Sequence, residues 1–131
     1  MIGLDTNVLV RFVAQDDPIN SPKADAIMKS LSVDEPGWIA VTAIAEFAWV
    51  MKRIFRISRR DTFALLNMFL NRPDIAIEQA EVVRKAANLF QAGTAEFADY
   101  LVACSGQLAG CSHTITFDRK AARSAGMTLA G

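Results

Sequence analysis

Short apolar segments of about four residues alternate along this 131-residue chain with longer stretches of helical period, and few folds accept that rhythm. Residues 1–4, 38–41, 75–77 and 113–117 read as strands, with a weaker one at 127–129. Helices are expected at about 7–14, 22–33, 43–56, 60–71, 80–92 and 96–109, and a short one from about 119. Apolar strands separated by helices call for parallel pairing with helices on both faces. The expectation is therefore α/β: a three-layer α/β/α sandwich around a short, mostly parallel sheet of four to five strands, in one domain spanning residues 1–131.

Local signals fit these boundaries. Pro18, Pro22, Pro36 and Pro73 all fall between proposed elements, where a missing N–H costs least. Ser21-Pro22 predicts a helix start, Thr42 is expected to cap the helix that follows it, and Gly93 and Gly110 stand just past two helix ends. Ile44, Phe47, Ala48 and Met51 form one apolar stripe at three- and four-residue spacing, with Glu46 toward its edge.

Composition narrows the function only slightly. With 14 basic and 14 acidic residues, global charge does not advertise a nucleic-acid binder, so charge distribution has to carry that argument. The first residues lack a basic stretch followed by an apolar core, and no apolar run reaches membrane-spanning length. Cys104 and Cys111 would lie roughly 10 Å apart along one helix, beyond disulfide reach. A reducing cytoplasm, away from membranes, is the expected setting.

Four acids share one kind of setting. Asp5 and Asp118 directly follow proposed strands, and Glu46 and Asp99 sit near the beginnings of helices, all among apolar neighbours. Ligands of open α/β sheets bind beyond the carboxyl ends of the strands, so one edge can collect these side chains. Two ionised carboxylates 5 Å apart repel by about 3 kcal/mol at an effective dielectric near 20. A hard divalent cation, Mg²⁺ or Mn²⁺, reverses that balance and prefers oxygen ligands. His113 is the only histidine, so no imidazole-rich alternative exists. Such an ion suits phosphodiester hydrolysis by an activated water, with Thr6, Asn7 and Thr116 placed to orient carboxylates or water. Taken singly, Asp118 is equally well read as a helix N-cap and Asp5 as a partner of the next helix dipole, while Glu46 and Asp99 resemble ordinary exposed helix charges.

The flanking residues add a family likeness. Leu4-Asp5-Thr6-Asn7-Val8-Leu9-Val10-Arg11, Ala43-Ile44-Ala45-Glu46, Glu96-Phe97-Ala98-Asp99-Tyr100-Leu101 and Thr116-Phe117-Asp118-Arg119, in that order, resemble a PIN domain, and more narrowly a VapC-type toxin of type II toxin–antitoxin modules. The resemblance implies that Asp5, Glu46, Asp99 and Asp118 are the metal-binding and catalytic acids of an Mg²⁺- or Mn²⁺-dependent endoribonuclease. Where the family often has Asp three residues before the third acid, this chain has Glu96, whose longer side chain implies a reach through water. The likeness also implies a homodimer, and a VapB-like antitoxin whose C-terminal segment covers the acidic groove. Apolar residues of the helices at 22–33 and 43–56 are candidates for that groove.

Five cations, Lys52, Arg53, Arg56, Arg59 and Arg60, fall within nine residues without an acid. Arg56, Arg59 and Arg60, with Arg119 beside Asp118, are candidate phosphate contacts for RNA, against the plainer reading of a solvated helix end. Trp38, Trp49, Phe55, Phe63 and Phe69 read as core or partner-facing rather than as base-stacking platforms. Two further functions compete: a housekeeping RNA-processing nuclease without an antitoxin, and a non-catalytic RNA-binding or signalling module. Receiver-type signalling folds also cluster acids, but they use a lysine on the last strand, which is missing here.

Overall fold

The computed structural model describes residues 1–131. Five strands and seven helices alternate: β1 (Ile2–Gly3), α1 (Thr6–Ala14), α2 (Asn20–Ser30), β2 (Gly37–Ile39), α3 (Val41–Arg53), α4 (Arg59–Asn71), β3 (Ile75–Ile77), α5 (Ala80–Ala92), α6 (Phe97–Leu108), β4 (Ile115–Thr116), α7 (Arg119–Ser124) and β5 (Thr128–Leu129). The α/β reading holds, and every strand pairing is parallel. No helix is long and apolar enough to cross a membrane.

Each long helix forms because its apolar residues recur on one face. Ile44, Phe47, Ala48 and Met51 are buried on α3, Val82, Val83, Ala86, Ala87 and Phe90 on α5, and Phe97, Tyr100, Leu101 and Cys104 on α6. These stripes close over β2 and β3, whose inward Ile39 and Ile77 join one core of 23 buried residues. Phe47 and Phe69 meet edge to face at 5.4 Å between centroids, tying α3 to α4.

The sheet departs from the expected single array of four to five strands. Hydrogen bonding joins β1-β2-β3 in that order and separately β4-β5. Ile115, Thr128 and Leu129 are exposed, and the β4–α7–β5 unit meets the main apolar cluster only through Ala125 at the end of α7. Ala121 and Met127 are its buried residues.

Two expected caps are also corrected. Ser21 does not start α2; it is buried, and its hydroxyl donates to the Arg11 carbonyl at 2.9 Å. The α2 amides are served by Asp17, which accepts from Ile19 N at 2.9 Å and Asn20 N at 2.8 Å. Thr42 lies inside α3, whose first amide, that of Val41, donates to Glu78 Oε1 at 2.9 Å. Glu78 is 37 residues away in sequence, at the end of β3, where no local pattern announces it. Gly93 and Gly110 do stand at the ends of α5 and α6, and Gly110 takes φ +89°, a conformation few other residues accept. Cys104 is buried, Cys111 is exposed, and both are free thiols.

Candidate metal and RNA site

Asp5 is placed by β1. Leu4 N donates to Trp38 O at 2.8 Å, so the chain stays in register with β2 until Leu4 is buried, and Asp5 then emerges as the N-cap residue of α1. Its carboxylate caps no amide and remains exposed. Across the parallel register, the chain leaving β2 turns into α3 and brings Glu46 to the same place. Asp5, Thr6, Thr42 and Glu46 line one recess of about 230 Å³ with Leu4, Ala40 and Ala43. Thr6 is buried, and its hydroxyl donates to the Ala43 carbonyl at 3.5 Å, fastening the α1 start to the first turn of α3. Asn7 points elsewhere: it lines a groove between α1 and α2 with Arg11, Asp17, Asn20 and Lys23.

A second group of acids gathers at the start of α6. Asp99 is half-buried in the first turn and accepts from Glu96 N at 3.1 Å. Burial pushes its carboxyl above the ordinary carboxylate range; the Glu96 amide opposes this, the negative charges of Asp118 and Glu96 reinforce it, and Lys52 opposes again. Asp118 is also the N-cap of α7: Oδ1 accepts from Lys120 N at 2.7 Å and Ala121 N at 3.2 Å, while its own amide donates to Thr116 Oγ1 at 3.0 Å. The capping reading of Asp118 is therefore realised, with Oδ2 left over for other work. Glu96 is held by Lys52 of α3, and Arg53 stands 3.9 Å away.

The expected acids therefore fall in two places: Asp5 and Glu46 line one recess, while Glu96 and Asp99 share the first turn of α6, where the negative charge of Asp118 also acts on Asp99. No three histidine, cysteine, aspartate or glutamate side chains lie close enough to form a ready ligand cluster. The donor chemistry nonetheless fits a hard divalent ion: all five side chains offer carboxylate oxygens, and the only histidine is hydrogen-bonded to Ser112 outside both groups. Drawing them around one ion requires Glu96 to leave Lys52 or stay outside the ligand set.

The turn that presents Glu96 and Asp99 is held by long-range contacts. The Arg59 guanidinium donates to Phe90 O and Ala95 O, each at 2.8 Å, and lies 4.3 Å from the Phe90 ring centroid. This corrects the assignment of Arg59 to an RNA-binding rim, since both ends of its fork are spent on the protein's own carbonyls. Tyr100 Oη accepts from Ala95 N at 3.2 Å and lies 2.5 Å from Ser124 Oγ, which accepts from Thr94 N at 2.8 Å. Sequence spacing missed both devices, because their partners lie 31 and 36 residues away for Arg59 and 24 for Tyr100. Arg56, Arg60 and Arg119 are exposed and form no ion pair. Arg56 also holds a left-handed backbone at φ +54° in the turn between α3 and α4.

No curated protein matches the sequence. The family profile of the PIN domain matches residues 2–127, so the match takes in both acid groups and every element of the fold except the last short strand, β5. With that span covered, the chain belongs to the PIN domain family, a superfamily of metal-dependent nucleases.

Proposed function

We propose that this PIN domain is an Mg²⁺- or Mn²⁺-dependent endoribonuclease and the VapC-type toxin of a toxin–antitoxin pair. The observation that supports the reading is that Asp5 and Glu46, from separate segments of the chain, line one recess within the matched family span. The toxin assignment rests on the likeness of the sequence around Asp5, Glu46, Asp99 and Asp118, as do a VapB-like antitoxin, a homodimer and a cytoplasmic setting.

When bound, such an ion lowers the pKa of coordinated water and neutralises charge developing on the phosphoryl group. Asp5 and Glu46 provide oxygens from the recess between α1 and α3, and Asp99 and Asp118 Oδ2 provide them from the second group. Thr6 keeps the recess in shape through the Ala43 carbonyl, and Thr116 Oγ1 fixes the Asp118 backbone. Glu96, paired with Lys52 of α3, acts outside the direct ligand set in this reading. Arg56, Arg60 and Arg119 supply free positive charge for phosphates.

The purified chain, incubated with total RNA in Mg²⁺, Mn²⁺ or chelator, tests the reading. Cleavage should need the ion and fall roughly a hundredfold or more in Asp5→Asn or Asp99→Asn, with unchanged circular dichroism. Growth arrest on expression, relieved by Asp5→Asn and by co-expression of the neighbouring gene's product, supports the toxin assignment. Cleavage without arrest points to housekeeping processing, and undiminished cleavage in both variants refutes the site.

A further inference from the structure

We propose that Phe117 is a substrate-binding residue of this site, stacking its ring on an unpaired nucleobase beside the phosphate to be cut. The inference rests on the ribonuclease reading above and names one of its RNA contacts. Of the eight phenylalanines, Phe117 is the only one exposed, at 88 % of its possible surface, and it is more exposed than any other large apolar residue of the chain. It is neither part of the apolar core nor among the residues packed against it.

Position gives this exposure a use. Phe117 directly precedes Asp118, so its backbone lies about 3.8 Å along the chain from that of a candidate catalytic acid. It also follows Thr116, whose hydroxyl accepts from the Asp118 amide at 3.0 Å. That bond, together with the two amides that Asp118 caps, fixes the backbone carrying the ring. Arg119 and Lys120 come next and are exposed cations. An aromatic face beside two exposed cations is the combination by which proteins hold single-stranded nucleic acid, since every base has a π-face and every nucleotide a phosphate. A base within a duplex is already stacked on both sides, so this ring selects unpaired segments.

Binding of a fluorescein-labelled single-stranded RNA decamer to the full chain carrying Asp5→Asn, which blocks cleavage, tests the proposal. Phe117→Ala should weaken binding roughly five- to a hundredfold, the range that single base–aromatic stacks give on alanine substitution, and Phe117→Trp should restore it. The melting temperature and the salt dependence of binding should not change, because the ring lies outside the core and carries no charge. In the chain with its acids intact, Phe117→Ala should raise KM for the decamer more than it lowers kcat. Binding within twofold of the parent overturns the proposal. So does a shift from dimer to monomer with RNA binding unchanged, which assigns the ring to a second copy of the chain. Cleavage by the parent that Phe117→Ala leaves intact removes this inference alone; a parent that neither binds nor cuts RNA removes the ribonuclease reading with it.

Discussion

Replacing Arg59 with alanine should destabilise the fold by about 3 kcal/mol, far more than the loss of its neighbour Arg60. Arg59 makes two hydrogen bonds of 2.8 Å from one charged fork, to the carbonyls of Phe90 and Ala95, and lies over the Phe90 ring. Hydrogen bonds from a charged donor contribute about 1.5–3 kcal/mol each and the cation–π contact about 0.5–1. Both bonds serve one short turn, so full additivity is not expected, and about 3 kcal/mol is the working figure. With a urea slope near 1.5–2 kcal/mol/M, the unfolding midpoint should fall by about 1.5–2 M at unchanged slope. Arg60→Ala, an exposed residue without an ion pair, should stay within about 0.5 kcal/mol. Arg59→Lys should recover only part of the loss, because an ammonium lacks the flat fork that spans two carbonyls. An Arg59→Ala midpoint indistinguishable from that of Arg60→Ala would refute the reasoning and return Arg59 to the solvent-facing cations.

Other outcomes follow from single contacts. Gly93→Ala places a Cβ on the Tyr100 hydroxyl and 2.8 Å from Ser124 Oγ, so it should cost about 1–3 kcal/mol in a thermal melt and loosen the turn before Asp99. The paired Arg72 guanidinium, at 2.7 and 2.9 Å, holds the Asp74 carboxyl below its ordinary range. A lowered folded-state pKa contributes stability above the unfolded value of about 3.9, and that contribution is lost as pH falls through the folded value. Asp74→Asn should therefore be less stable than the parent at about pH 6–7, and the gap should close only in acid, as pH falls through the lowered folded-state value, as followed by urea unfolding. Removing Arg56, Arg60 and Arg119 together should lower the slope of log affinity against log salt for single-stranded RNA by about 2, at roughly 0.7 per phosphate contact. An unchanged slope would leave these cations as solvated surface.

The order of the elements was legible in the residues because it depends on short-range chemistry. A 3.6-residue recurrence such as Ile44, Phe47, Ala48 and Met51 dictates which face of α3 is buried, wherever the rest of the chain goes. Strand ends followed by Asp5 and Asp118 were readable in the same way, as was the likeness to PIN domains that the family match supports. Caps were less legible: Ser21 and Thr42 carry suitable hydroxyls, yet Asp17 and Glu78 take the amides.

What only the tertiary structure decided were contacts between distant segments. It divided five strands into a group of three and a group of two, a pairing between distant segments that no local pattern fixes. It turned Arg59 inward and Glu96 toward Lys52, and left Phe117 bare beside Asp118. Periodicity reports whether a residue faces inside or outside. A charged side chain with several rotatable bonds chooses among partners dozens of residues away, and that choice is made by which backbone carbonyls and charges the packed helices bring within about 3 Å of it.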